Sequence, residues 1–158
     1  GGPVAASRAR RRGYGDDLAL GAGTVMSAGD VARAADAGAR FVVSPHVDEA
    51  VLAKAQELGL GTVPGAFTPT EVVRAVRLGA DVVKVFPVSP VGADHIRQLK
   101  GPLPDVSMLA TGGVGPDLAR ACLAAGCTGV GVGVQLLGAP GDPDAVRAGA
   151  RRLVDAMG

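Results

Sequence analysis

Short apolar, β-branched runs recur along the chain at Leu18–Val25, Phe41–Pro45, Thr62–Gly65, Val82–Pro87, Val106–Thr111 and Gly129–Gly133. Their centres lie about 20–25 residues apart, room for one strand, one helix and two short loops. The runs do not alternate apolar with polar. Unbroken apolar runs are how parallel strands read when both faces are covered. Ala-rich amphipathic stretches separate them. Ala28–Ala37 follows Ser27, an N-cap type. Asp48–Leu58 has Asp48 as its cap and sets Val51, Leu52, Ala55 and Leu58 on one face. Pro69–Leu78 has Thr68 as N-cap, Pro69 at the first helical position and Glu71 in the first turn. Gly92–Leu99 reads as a shorter, weaker helix. Pro116–Ala125 again opens on proline, and Asp142-Pro143 leads a last helix to Met157. Gly38, Gly59, Gly79 and Gly126 stand where helices should stop.

The order is strand then helix, six times, with a further helical stretch at Val4–Arg12. This predicts an α/β protein with a parallel sheet, either open and doubly wound or part of a (β/α)8 barrel. Regular spacing without a long excursion favours the barrel. Six units are fewer than the eight of a closed ring, so either the sheet is open or about two units are missing from the front. The chain opens Gly1-Gly2-Pro3 rather than with Met, which reads as a fragment or a processed product. No linker or low-complexity tract interrupts residues 1–158, so one domain is expected. The cluster Arg8-Ala9-Arg10-Arg11-Arg12 reads as a solvated helix end.

Composition narrows the function classes. A formal net charge of +1 argues against a protein built to bind nucleic acid or an anionic membrane. Aromatic residues at 3% are too few for base-stacking platforms. The two cysteines, Cys122 and Cys127, have no further partners that would make a zinc site or a disulfide scaffold. They read as small buried apolar residues, in a reduced, cytoplasmic setting. No apolar run approaches the roughly 20 residues of a membrane helix, and no signal peptide is expected.

In a parallel α/β fold, chemistry gathers at the carboxyl ends of the strands. Lys84 stands out there, inside Asp81-Val82-Val83-Lys84-Val85-Phe86-Pro87. A buried amine with a depressed pKa attacks carbonyls and forms Schiff bases. Alternatively Lys84 reaches out from the strand end to an anion or to solvent. Thr111-Gly112-Gly113-Val114 and Gly131-Val132-Gly133 end two successive strands. They expose backbone N–H groups to a phosphate, or they simply make tight turns. Gly21-Ala22-Gly23-Thr24-Val25 is a strand end that suits a ligand contact or a turn. His46 is an acid–base candidate or a bystander at the rim, and His95 reads as a solvated residue on a surface helix.

Taken in order, Gly-Ala-Gly-Thr-Val (21–25), Phe-Val-Val-Ser-Pro (41–45), Val-Pro-Gly-Ala-Phe-Thr-Pro-Thr-Glu (63–71), Val-Lys-Val-Phe-Pro (83–87), Leu-Lys-Gly-Pro-Leu-Pro-Asp-Val (99–106) and Thr-Gly-Gly-Val (111–114) resemble one family. It is the 2-keto-3-deoxy-6-phosphogluconate (KDPG) / 4-hydroxy-2-oxoglutarate (KHG) aldolases, and the resemblance runs from about Leu18 to Leu137. It implies a (β/α)8 barrel, a homotrimer at full length, and no metal or other cofactor. Lys84 would be the catalytic lysine. Its amine attacks the substrate C2 carbonyl, and the protonated imine draws electrons as C3–C4 breaks to an enamine and an aldehyde. Thr24 and Pro45 would line the pyruvyl pocket with Phe86 beside it, and Thr111 would contact the substrate chain. Gly112, Gly113, Gly131 and Gly133 would hold phosphate. The partner implied is a small keto-acid or phosphosugar substrate of the Entner–Doudoroff type of carbohydrate metabolism, with no nucleic acid and no membrane.

In the family a glutamate on the second strand is the general acid–base, and a nearby arginine holds the keto-acid carboxylate. Both lie upstream of the 21–25 motif. The resemblance therefore reads this chain as an amino-terminally truncated member carrying strands 3–8, with residues 1–17 the remnant of helix 2 and its loop. Val134 stands where the family often has serine, which tilts preference toward unphosphorylated 4-hydroxy-2-oxoglutarate. The related 2-keto-3-deoxy-6-phosphogalactonate aldolases are the alternative, from which Thr111 and His46 lean away. A catalytically incomplete phosphate-binding fragment, with Lys84 as a point charge, is the other.

Overall fold

A computed structural model describes residues 19–133 and 142–157. The expected Val4–Arg12 helix, the arginine cluster, the residue-1–17 remnant, Leu18, Val134 and Leu137 lie outside them. The chain divides into two compact units, Gly1–Val83 and Lys84–Gly158.

In the first unit β1 (Gly21–Ala22), β2 (Phe41–Val43) and β3 (Gly61–Val63) pair in parallel in that order. The register puts Gly21, Phe41 and Gly61 in one row. The Phe41 ring lies over Gly21, where a Cβ would come within 2.2 Å of it. A large side chain flanked by glycines on neighbouring strands fills the space all three would otherwise contest. The helices are α1 (Ala28–Asp36), α2 (Glu49–Glu57) and α3 (Pro69–Arg77), nine residues each. Ser27, Asp48 and Thr68 cap them by accepting from the backbone N–H groups of Asp30, Val51 and Glu71. Thr68 and Glu71 complete a reciprocal capping box. Gly38, Gly59 and Gly79 follow with φ of 83°, 67° and 77°, as expected of helix stops. Val31, Ala34, Val42, Val51 and Ala55 form the core between α1, α2 and the strands.

The expected strand at Thr62–Gly65 is two pieces, β3 and β4 (Gly65–Ala66). Pro64 between them has no N–H to donate to a ladder. Leu58, expected on the buried face of α2, is exposed. The apolar periodicity ends one turn earlier, at Ala55.

The second unit contains β5 (Val83–Val85, its first residue closing the first unit), β6 (Met108–Thr111) and β7 (Gly129–Gly131), side by side in that order. β6 and β7 are parallel, with Leu109 opposite Gly129 and Thr111 opposite Gly131. The helices are α4 (Gly92–Lys100), α5 (Pro116–Ala124) and α6 (Pro143–Met157). α4 is not the shorter helix expected; it has nine residues, as do α1, α2, α3 and α5. Its N-cap is Val91, without a side-chain hydrogen bond, so the usual start signal is missing. Burial of Ala93, Ile96 and Leu99 at i, i+3, i+6 holds it instead. Lys100 then clamps the following loop, its Nζ donating to Pro104 O at 3.0 Å and to Val106 O at 2.8 Å.

Candidate functional site

In the second unit, strand alternation sets the geometry. Val83 and Val85 are buried, and Lys84 between them is half-buried on the opposite face. Burial pushes the Lys84 amine below its usual 10.5, because an ammonium is disfavoured away from water. Phe86, two residues on, takes the same face. The Lys84 Nζ stands 4.3 Å from the centre of its ring, within cation–π range. The Phe86–Pro87 peptide is cis.

β6 brings Thr111 to the same place. Thr111 is buried, and its Oγ1 donates to Val85 O at 3.4 Å. Val88 N–H donates to Thr111 O at 2.9 Å and Ser89 N–H to Gly112 O at 3.1 Å. These two bonds fasten the turn after β5 to the turn after β6. Gly112 and Gly113 have φ of 91° and 70°, a region that disfavours any side chain. Gly112 lies against Phe86 and Pro87, and Gly113 against the Ser89 side chain. Gly131 lies under Thr111, where a Cβ would sit 2.5 Å from the threonine methyl. Gly133 is exposed, two residues past β7. α5 begins just beyond the β6 turn, at Pro116, with Gly115 as N-cap and no side-chain hydrogen bond to its first turn. Free N–H groups at a helix start attract an anion.

The first unit carries its own set of strand-end residues. Val25 N–H donates to Val43 O and Ser44 N–H to Val63 O, so the parallel pairing continues past the strands. It carries Thr24, Pro45 and Gly65 to one end. Thr24 is exposed and has φ of 56°, left-handed although it has a side chain. Such strain is uncommon and concentrates at ligand-contacting turns. Gly65 lies on the Pro45 backbone, where a Cβ would meet the carbonyl at 2.4 Å. Ser44 is buried and its Oγ donates to His46 O at 2.8 Å. His46 Nε2 lies 4.0 Å from the Asp48 carboxylate, and its Nδ1 is buried without a hydrogen bond.

Lys84, Phe86, Thr111, Gly112 and Gly131 are thus linked in one unit, and Thr24 and Pro45 lie at the strand ends of the other. Two contributors escaped the sequence reading. Ser89 joins the paired turns through its backbone. Asp81, three residues before Lys84, accepts from Thr62 N–H at 2.7 Å and Thr62 Oγ1 at 2.8 Å, and its own N–H donates back to Oγ1 at 3.1 Å. A pair 19 residues apart becomes visible only once strand order is known. His95, expected to be solvated, is half-buried on α4. Cys122 and Cys127 are free and buried as expected. Burial raises both thiols, Cys127 to about 11, which leaves little reactive thiolate. Among the described residues no three His, Cys, Asp or Glu side chains are grouped to hold a metal ion. Among them also, no helix is long and apolar enough to cross a membrane.

The family model described as KDPG and KHG aldolase matches residues 4–148. The chain is 38% identical over 124 residues to the 2-dehydro-3-deoxy-6-phosphogalactonate aldolase of Escherichia coli K12, covering 78% of this chain and 60% of the relative. It is also 38% identical over 99 residues to the 2-dehydro-3-deoxy-phosphogluconate aldolase of Treponema pallidum, covering 62% of this chain and 47% of that protein. Among solved structures, a 4-hydroxy-2-oxoglutarate/2-dehydro-3-deoxyphosphogluconate aldolase superposes with a TM-score of 0.87 at 38% identity, over 98% of this chain and 76% of the other. The expected (β/α)8-barrel class of α/β fold, parallel strands alternating with helices, is the one this chain shares with them. The chain spans about half the length of the curated relatives it matches.

Proposed function

Since the chain belongs to the KDPG and KHG aldolase family, we propose that it carries the Schiff-base half of a class I aldolase, with Lys84 as the catalytic amine. The observation that supports this is the half-buried Lys84 amine, its pKa lowered by desolvation, facing an aromatic ring on an otherwise apolar strand. A desolvated lysine holds more free amine at neutral pH than an exposed one, and the free amine is the nucleophile. The amine adds to the C2 carbonyl of a 2-keto acid, and water leaves to give the iminium. The C4 hydroxyl gives up its proton to a base such as water, electrons of the C3–C4 bond flow into the iminium to give an enamine, and an aldehyde departs. Protonation of the enamine at C3 and hydrolysis release pyruvate.

The substrates are 2-keto-3-deoxy-6-phosphogluconate, cleaved to pyruvate and glyceraldehyde 3-phosphate, and 4-hydroxy-2-oxoglutarate, cleaved to pyruvate and glyoxylate. Thr111 contacts the substrate chain and Phe86 flanks the imine. Thr24 and Pro45 line the pyruvyl pocket. Gly112, Gly113, Gly131 and Gly133 supply N–H groups to the phosphate. At full length the working form is a cytoplasmic homotrimer. The galactonate-series phosphosugar is the second substrate reading; relatives of both series match the chain at 38% identity.

Incubation with pyruvate and borohydride, read by intact mass, tests the chemistry. The chain should gain one reductively attached pyruvyl group, and Lys84→Arg should gain none. An adduct that persists in Lys84→Arg, or no adduct on the parent chain, overturns the proposal.

A further inference from the structure

We propose that Gly112 is a positioning residue for the Schiff-base amine: the absence of a side chain there seats the Phe86 ring against Lys84. This rests on the aldolase reading and concerns a role separate from holding phosphate. A Cβ on Gly112 would lie 3.0 Å from Phe86 Cδ2, 3.1 Å from Cε2 and 3.1 Å from Pro87 Cα. Those separations are tighter than nearly all real Cβ contacts, so the ring rests directly on the glycine. The amine stands over the same ring, 4.3 Å from its centre.

The seat itself is held in place. Gly112 O accepts from Ser89 N–H at 3.1 Å, and Thr111 O accepts from Val88 N–H at 2.9 Å. The turn carrying Gly112 is therefore tied to the residues that follow Phe86. A side chain at 112 would press on both the ring and the Pro87 backbone. The ring would have to slide, and the amine resting on it would leave the line of attack. Displacements of about an ångström at a reacting group are felt in rate. Gly113 differs, because a Cβ there would meet the Ser89 side chain and not the ring.

Pyruvate carries no phosphate, so its borohydride trapping reads this role without reading phosphate binding. Gly112→Ala should lower the rate constant of trapping at saturating pyruvate about tenfold, with trapping still going to completion. A loss of folded protein would instead lower the final extent. Gly92, with φ of 70° and nothing within 4 Å of the place a Cβ would take, supplies the control for backbone strain. Gly92→Ala should trap at the parent rate. Phe86→Leu removes the ring edge that a Cβ would strike. It should slow trapping by itself, and adding Gly112→Ala to it should slow trapping no further. If Gly112→Ala does not fold, an unchanged rate in Phe86→Leu is enough to overturn the proposal. Parent-like trapping by Gly112→Ala overturns it, as does equal slowing by Gly92→Ala or an undiminished effect in the Phe86→Leu background. In those cases the parent adduct still forms and the aldolase reading stands. No adduct on the parent overturns both.

Discussion

Five of the described helices divide between the two units in how they start, whereas α6 in the second unit is capped like those of the first, Asp142 Oδ1 accepting from Asp144 N–H and Ala145 N–H at 3.0 Å each. In the first, α1, α2 and α3 each start on a side chain that accepts from the helix's own backbone: Ser27, Asp48 and Thr68. In the second, α4 and α5 start on Val91 and Gly115 and have no such bond. These five helices are nine residues long, and α6 has fifteen. Length alone does not stabilise so short a helix, since isolated helices under about 12–15 residues are marginal in water. The second unit relies on bulk. Ile96, Leu99 and Met108 are fully buried there, whereas valines and alanines dominate the first unit's core. The difference has a consequence for function. At the first unit's helix starts Ser27, Asp48 and Thr68 occupy first-turn N–H groups, while α5 has no side-chain hydrogen bond at its start, which leaves backbone N–H groups there available to a ligand. The unit with the two open helix starts, at α4 and α5, is also the one that holds Lys84.

The largest effect should come from removing the bulk that substitutes for caps. Ile96→Ala should destabilise by about 3 kcal/mol, within the usual range of roughly 2–5 for a buried Ile. Ala119→Gly, on capless α5, should cost about 1 kcal/mol. Denaturant unfolding monitored by circular dichroism measures both. A loss under about 1 kcal/mol for Ile96→Ala would mean that something other than core burial holds α4.

A smaller effect tests the capped side of the comparison. Thr68→Ala should cost about 1 kcal/mol. The cap also carries a pH signature. The Glu71 carboxylate accepts from Thr68 N–H, Phe67 N–H and Thr68 Oγ1, which holds its pKa below the ordinary 4.5. Its folded pKa is depressed, so its contribution is full above pH 4.5 and disappears as pH falls through the folded value. Asp30 behaves likewise below 3.8, held down by Ser27 and Met26. Thermal melts from about pH 6 to about pH 3 should therefore fall less steeply for Glu71→Gln than for the parent. Parallel slopes would show that the capping box adds no acid-sensitive stability.

The same contrast explains what could be read from sequence. Ser27, Asp48 and Thr68 are local signals, and the first unit's helices follow them within a residue. Left-handed glycines after α1, α2, α3 and α5 are equally local. Lys84 was visible because a lone charge in an apolar strand is anomalous. What stayed hidden depends on contacts between distant residues: Phe41 over Gly21, Gly65 on Pro45, Asp81 on Thr62, and Phe86 on Gly112. Each needs a strand register that no short window contains. The strength of α4 was hidden for a related reason, since burial rather than a cap sustains it.

The smallest expected effects concern ion pairs of identical spacing in the two units. Arg33 pairs with Asp30 on α1, and Arg97 with Asp94 on α4, both at i, i+3 and both partly or fully exposed. Exposed pairs at this spacing contribute a few tenths of a kcal/mol, because water and salt screen them. Arg33→Gln and Arg97→Gln should each change stability by less than about 0.5 kcal/mol. The acidic partners should separate. Asp94→Ala removes only a surface charge near a helix start. Asp30→Ala also removes the acceptor for Met26 N–H and Ser27 Oγ at the start of α1. Asp30→Ala should therefore cost about 1 kcal/mol, and Asp94→Ala less than half of that. Equal losses at the two positions would show that the first unit's helix starts owe no more to their side chains than the second unit's do.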